Sequence, residues 1–418
     1  MRPVPRPTSR TLGFLALGVA IGVLAWGTGQ DDLVWVAVFL VAMPVAALAA
    51  ALLVRPGFHA AREVQPEVSP AGEPARVVLT LSATRPGFGS DILARDDPGP
   101  ALGVPHAFRL DAGRRGARTS VAYPIRPRRR GRYTLDGLVV RSVDALGFWT
   151  FGRHAGAPTP LVVTPRVHAL PPAAVRAIGE VGETPLPRTS LVGPDDATVR
   201  DYRAGDDVRR IHWRSTARTG EIMVRREESA WDPTAWVLLD SRAGVHPLEE
   251  GLRPTFEWLV TAAASIGERL LTDDYALGLV DAAGLTHEAA GEPAVAAARW
   301  LDPLVDVDVV PADDLHEAIG ALGRQPSDHI LIALLGRLDA ATADLLSGLN
   351  GARYVRLALV VAPADDRRAE FEQARALLVR HGWDVRPTVL SSDLAATWLG
   401  SAAPATTDAR TASGMGAP

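Results

Sequence analysis

Two long apolar runs open the chain. Residues 11–30 carry no charge, Asp31 and Asp32 interrupt, and residues 33–54 form a second uncharged run. A helix needs about 20 residues to cross a hydrocarbon core of ~30 Å. Each run therefore predicts a spanning helix, with a tight hairpin at residues 27–32. Pro44 predicts a kink in the second helix, which a membrane tolerates. Beyond residue 62 the pattern shortens. Apolar or alternating segments lie at 76–83, 120–125, 137–141 and 161–164, with turn clusters such as Asp97-Pro98-Gly99-Pro100 between them. They predict a small antiparallel β-sandwich. From Trp231 onward, apolar strand-length runs at 235–240, 275–281, 329–335 and 354–361 alternate with helix-length runs at 254–271, 293–304, 313–322, 340–346, 367–381 and 393–399. That alternation predicts a doubly wound, mostly parallel α/β sheet. Residues 401–418 are small and polar and predict a disordered tail. The expected fold class is multi-domain: a transmembrane hairpin (1–62), a β-sandwich (63–168), a linker with a charged segment (169–230), an α/β domain (231–400) and the tail.

Charge orients this plan. Arg2, Arg6 and Arg10 precede the first apolar run, Arg55 and Arg62 follow the second, and only two aspartates lie between. The positive-inside rule then predicts a two-pass plasma-membrane protein with both termini and the soluble domains cytoplasmic. Residues 55–168 carry 17 arginines against 9 acids, whereas residues 231–400 carry 13 against 26, so two surfaces of opposite sign are expected. The densest basic run, residues 126–133, points to anionic lipid headgroups. A solvated hairpin tip or internal pairing is an equal alternative. Nothing resembling a nucleic-acid reader accompanies the run, so no nucleic-acid partner is expected. Cysteine and lysine are both absent. Disulfides, thiol catalysis, a P-loop lysine and Schiff-base chemistry are thereby excluded.

The densest alternation of arginine and acid lies between Gly193 and Glu228. Residues 200–226 hold eight arginines, with Asp201, Asp206, Asp207 and Glu221 among them and Trp213 in the middle. Asp206 is a good N-cap and Asp207 suits a first helical turn. A helix is expected over 208–217, ended by Gly220 and followed by a strand over 221–228. The pattern R-x-Y-x-x-G-D-x-x-R-x-I-x-W-x-x-x-A-R, carried by Arg200, Tyr202, Gly205, Asp206, Arg209, Ile211, Trp213, Ala217 and Arg218, resembles the signature of the DUF58 family. The element Asp144, Gly147, Phe148, Trp149 is similar to that family's β region. The resemblance implies two membrane helices, a β-rich domain, this motif and a von Willebrand A-like domain. It also implies a partner, a MoxR-type AAA+ ATPase, in cell-envelope or stress-related assembly.

Candidate chemistry is sparse. A von Willebrand A metal site uses D-x-S-x-S after its first strand. The matching residues here are Asp240-Ser241-Arg242-Ala243-Gly244, which put an arginine and a glycine at the two hydroxyl positions. A Mg2+ site needs several oxygens, so a degenerate site at Asp240 and no metal or other cofactor are expected, with Asp240 capping a turn or pairing with Arg242. His287-Glu288 and His316-Glu317 both lack the second histidine of a zincin, and there is no G-x-S-x-G elbow. The Arg/Asp motif, with Asp207 and His212, has three open readings: an ion-pair clamp packed on Trp213, a partner surface, or a catalytic site for a phosphate-bearing or peptide substrate. The leading expectation is a non-enzymatic, membrane-anchored interaction protein. The alternatives are that enzyme, or a metal-dependent adhesion-type module.

Overall fold

The structure is a computed structural model. It describes residues 4–53, 57–85, 91–111, 118–144, 146–172, 199–201, 213–225, 234–325, 329–349, 355–363 and 365–400. The chain divides into two compact units, Met1–Arg166 with Leu304–Asp306, and Val167–Pro303 with Val307–Pro418. The tail expected over 401–418 lies outside the described residues.

In the first unit, strand β1 (Val4–Pro7) leads into helices α1 (Ser9–Thr28) and α2 (Asp31–Leu53). Both are long and apolar enough to cross a membrane. Thr8 caps α1, and Gly29, at φ 68°, closes it in the left-handed region that glycine alone enters without strain. The buried residues of α1 are Thr11, Gly18 and Ala25, those of α2 Ala37, Pro44 and Ala47. A seam of small residues lets two apolar helices approach closely, which is how helices associate where no water drives them together.

The rest of the unit is β structure. Strands β2 (Gly57–Gln65), β4 (Ala75–Arg85) and β7 (Arg118–Ile125) form an antiparallel sheet in the order β2-β4-β7. Strands β5 (Asp91–Asp96), β6 (His106–Asp111), β9 (Val139–Val143) and β10 (Trp149–His154) join β1 in the order β1-β10-β9-β5-β6. The third sheet, β3-β11-β8, uses Val68–Pro70, Thr159–Thr164 and Gly131–Leu135. Its β3 and β11 run parallel, so the purely antiparallel sandwich expected from the sequence is corrected on this point. One face of β4 feeds two cores in turn along its length: Val77 packs with Tyr123, Leu135 and Leu161, while Leu79 and Leu81 pack with Ile92, Ala94 and Val140. Between strands, Arg62 pairs with the buried Asp96, which also accepts from the Tyr123 hydroxyl at 2.7 Å. Burial, and then Asp96, push the Tyr123 phenol far up, so it stays a donor.

The arginine run follows β7 at the end of the sheet where Gln65 faces Arg76 and Ala75 faces Ile125. Helix α2 joins the opposite end, near Gly57, and the nine residues of β2 span about 27 Å. The run thus begins at the end of this sheet opposite the one at which β2 starts.

The second unit carries a six-stranded sheet in the order β16-β15-β14-β17-β18-β19. Its strands are β14 (Thr234–Leu239), β15 (Ala276–Asp281), β16 (Thr286–Ala289), β17 (His329–Leu335), β18 (Val355–Val361) and β19 (Trp383–Thr388). Five are parallel, and β16 lies antiparallel on one edge. The two strands missed in the sequence, β16 and β19, are the edges. Helices Pro254–Thr272, Pro293–Asp306, His316–Gly323, Ala340–Ser347, Arg368–Arg380 and Leu394–Trp398 connect or follow the strands. Ala235 to Leu239 and Leu331 to Leu335 are all buried, as a sheet covered on both faces requires. Leu170 is buried and the Trp398 indole donates to Pro171 O at 3.0 Å, so the start of the expected linker belongs to this packed unit.

Candidate functional site

In a doubly wound sheet the chain reverses its direction of growth between two neighbouring strands, and ligands bind beyond their carboxyl ends. Here that switch point falls between β14 and β17. Strand β14 ends in Asp240, Ser241 and Arg242, whose exposures are 0%, 0% and 2%. Arg242 turns its planar fork back onto Asp240: Nε donates to Oδ1 at 2.8 Å and Nη2 to Oδ2 at 2.9 Å. The backbone N–H of Arg242 also caps Oδ1, at 3.3 Å. From the end of β17, Gly336 N–H donates to Oδ2 at 3.1 Å. A Cβ at Gly336 would stand 2.3 Å from the His246 ring, so only glycine allows this approach. Arg242 Nη1 donates to Thr342 Oγ1 at 3.2 Å, and Nη2 reaches Arg337 O at 3.4 Å. Asp339 caps the helix that carries Thr342 by accepting from Thr342 N–H at 2.9 Å.

Burial alone pulls the Arg242 guanidinium down, but the hydrogen bonds and charge of Asp240 outweigh it and hold the group above its ordinary value. His246 Nε2 lies 2.6 Å from Asp240 O and Nδ1 lies 3.0 Å from Thr255 Oγ1. A carbonyl only accepts, so Nε2 carries the proton and Nδ1 accepts from the threonine hydroxyl. Burial pushes His246 down, consistent with this neutral ring. Ser241 Oγ is taken by Ala282 N–H at 3.0 Å.

A divalent metal does not fit this donor set. Magnesium needs oxygens in near-octahedral array. Both Asp240 oxygens already face N–H groups, and the Arg242 cation lies against them. No group of three or more potential metal ligands occurs elsewhere among the described residues. Catalysis is likewise not offered, because the charged groups here are buried and bonded to one another.

The arginine-rich motif is built differently. Strands β12 (Val199–Asp201) and β13 (Met223–Arg225) pair antiparallel, with Arg200 opposite Val224. Between them a short helix, α3, spans Trp213–Thr219 and ends at Gly220, at φ 79°. The described part of the helix expected over 208–217 runs on to Thr219, two residues past the expected end, with Thr216 Oγ1 accepting from Met223 N–H at 3.0 Å. Residues 208–212 lie outside the described residues, as do Tyr202, Gly205, Asp206, Asp207, Arg209, Ile211 and His212. Trp213 is 70% exposed, and Ile222, Ala217 and Arg218 are exposed too. Of the three open readings of the motif, the clamp packed on Trp213 is the one this exposure disfavours. Helix α3 reads WRSTART, so it has no apolar stripe to bury and nothing to draw the indole inward.

The sequence reading singled out Asp240 and Arg242 but missed Gly336, Thr342 and His246. The i,i+2 spacing of acid and arginine at a strand end was legible; partners about a hundred residues away were not.

No curated protein matches the chain. Solved structures match parts of it weakly. A CARDB domain from Pyrococcus furiosus is 10% identical over 26% of this chain and 88% of that one, with a TM-score of 0.18. A non-cellulosomal cohesin from Archaeoglobus fulgidus is 14% identical over 25% of this chain and 90% of that one, at 0.19. Scores this low carry nothing about fold or function. The family model described as "Protein of unknown function DUF58" matches residues 198–324, from the motif strand through β14 and its Asp240–Arg242 pair to the helix before β17, and this match supports the chain's place in the DUF58 family.

Proposed function

We propose that the chain is a membrane-anchored, non-catalytic interaction protein and that the segment around Trp213 is its partner contact. The observation that carries this is the exposed indole of Trp213, set with exposed Ile222 among arginines. Tryptophan and arginine dominate the energetic centres of protein interfaces. The strand order of the second unit supports reading it as von Willebrand A-like, and its self-paired Asp240–Arg242 speaks against the metal-dependent adhesion-module alternative. By family resemblance the partner is a MoxR-type AAA+ ATPase. The flanking arginines support, by the positive-inside rule, a reading with both ends of the hairpin and the soluble units on the cytoplasmic side.

The test is capture of a purified MoxR-type ATPase from the same genome by the full chain in detergent. Trp213→Ala is expected to weaken capture by more than about tenfold, the loss of one interface anchor. Unchanged capture by Trp213→Ala and Arg218→Ala together would reject this surface as the contact.

A further inference from the structure

The two apolar helices do not stand clear of the β-rich part of their own unit. The Thr8 hydroxyl donates to Gly147 O at 2.8 Å, Thr8 N–H to Phe148 O at 2.9 Å, and the Thr11 hydroxyl also reaches Phe148 O. Phe14 meets Phe148 edge-on at 4.9 Å. From the other helix, Pro44 O accepts from the Trp149 indole at 2.8 Å. Gly147, at φ 76°, makes the turn possible, and a side chain there would strike the Arg10 guanidinium at 2.9 Å. Asp144 stiffens the turn by accepting from Leu146 N–H and Trp149 N–H.

These contacts fix a depth. The helices are antiparallel, with Gly18 against Val41 and Gly22 against Ala37, so Pro44 lies level with Leu15. Leu15 is six residues beyond the start of α1, which is about 9 Å along a helix axis. If α1 fills the hydrocarbon core, as its 20 residues at ~1.5 Å each allow, then Trp149 has entered the membrane by that amount. The chemistry of the turn suits the place. Leu146 is 47% exposed and aims no partner at water, while Trp149 presents an apolar ring with its polar tip satisfied. Arg10 lies over the turn at the level of the phosphates. Two further exposed tryptophans, Trp26 and Trp35, mark the other end of the hairpin, as an aromatic belt does.

We propose that residues 146–149 form a lipid-binding turn that sits in the headgroup–acyl boundary beside Pro44, so that the β-rich part binds the bilayer through this apolar turn and not through its arginine run. The proposal rests on the helices crossing the membrane. Interfacial insertion of about 5–10 Å is the depth that amphipathic surface elements reach.

The chain has no cysteine, so single cysteines can be labelled in the full protein. Leu146→Cys, Val38→Cys and Val104→Cys would each carry an environment-sensitive fluorophore, in vesicles of phosphatidylcholine and phosphatidylglycerol. The quencher is lipid with a nitroxide high on the acyl chain. All three positions are exposed, so labelling leaves the cores intact. The label at Leu146 is expected to lose most of its fluorescence, and that at Val104, in a loop beyond β5, to keep it. Quenching at Val38 but not at Leu146 would overturn the turn proposal and leave the membrane hairpin standing. Quenching at neither would overturn both.

Discussion

Two arginine-bearing regions of the second unit behave in opposite ways. At the end of β14 a single arginine lies buried with four partners, two of them the oxygens of one carboxylate. In the motif, arginines are frequent in the sequence, and Arg218 lies exposed on the same short helix as the exposed Trp213. A buried ion pair therefore does not require a charge-dense stretch of sequence. A buried pair needs a carboxylate held at fork distance and an apolar shell that keeps water out. The strand end supplies both, whereas Arg218 stands exposed near the end of a short helix.

The comparison can be broken most directly at Arg242. Arg242→Ala leaves Asp240 buried without its cation, and breaking a buried pair costs ~3–5 kcal/mol. The melting temperature of the full chain in detergent should fall sharply, and an unchanged melt would show that the pair is not the strand end's anchor. The next largest effect concerns pH. His246 is held below its ordinary value of 6.5. On acidification the unfolded chain takes up a proton that the folded one refuses, so this stability is full above ~6.5 and declines as pH falls toward the folded value. The melting temperature should be lower at about pH 5.5 than at about pH 7.5, and His246→Asn should flatten that slope. An equally steep slope in the variant would assign the effect elsewhere.

Trp213→Ala marks the opposite pole. Removing an exposed side chain shifts stability by no more than about 0.5 kcal/mol. A large drop in melting temperature would mean that the motif clamps the fold after all. The smallest expected effect is that of metal. With both Asp240 oxygens taken by N–H donors, added Mg2+ and added chelator should leave the melt of the full chain where it was. A shift that Asp240→Ala abolishes would restore the metal reading.

What the sequence made legible follows the same logic. The central strands of the α/β unit are unbroken apolar runs because both faces are covered, and the 329–335 run matches its strand end to end. The edge strands THEA and WDVRPT carry charge and proline, as edges do, and so read as loop. Strand β1 hid for a similar reason, since VPRP has two prolines and precedes a membrane run. The parallel pairing of β3 with β11 depends on register between distant segments, which no local pattern encodes. Trp213 was ambiguous because a large aromatic among charges suits a packing anchor and an exposed contact alike, and only its 70% exposure separates the two.

The pairing of β1 with β10 bears on how the protein is made. Val4 meets Gly152 and Pro7 meets Trp149, at one edge of the β1-β10-β9-β5-β6 sheet. The strand that leaves the ribosome first therefore cannot close until every other strand of its sheet has been synthesised. Between those two moments the chain passes through the whole hairpin and returns at Gly57, the start of β2 in the same unit. A polypeptide whose two ends around an insertion are stitched into one body has no freedom to leave one of them across a bilayer. If the two helices cross a bilayer, the β1–β10 pairing requires both ends of the hairpin on one side, and a hairpin threaded with its ends on opposite sides would leave β1 without a partner.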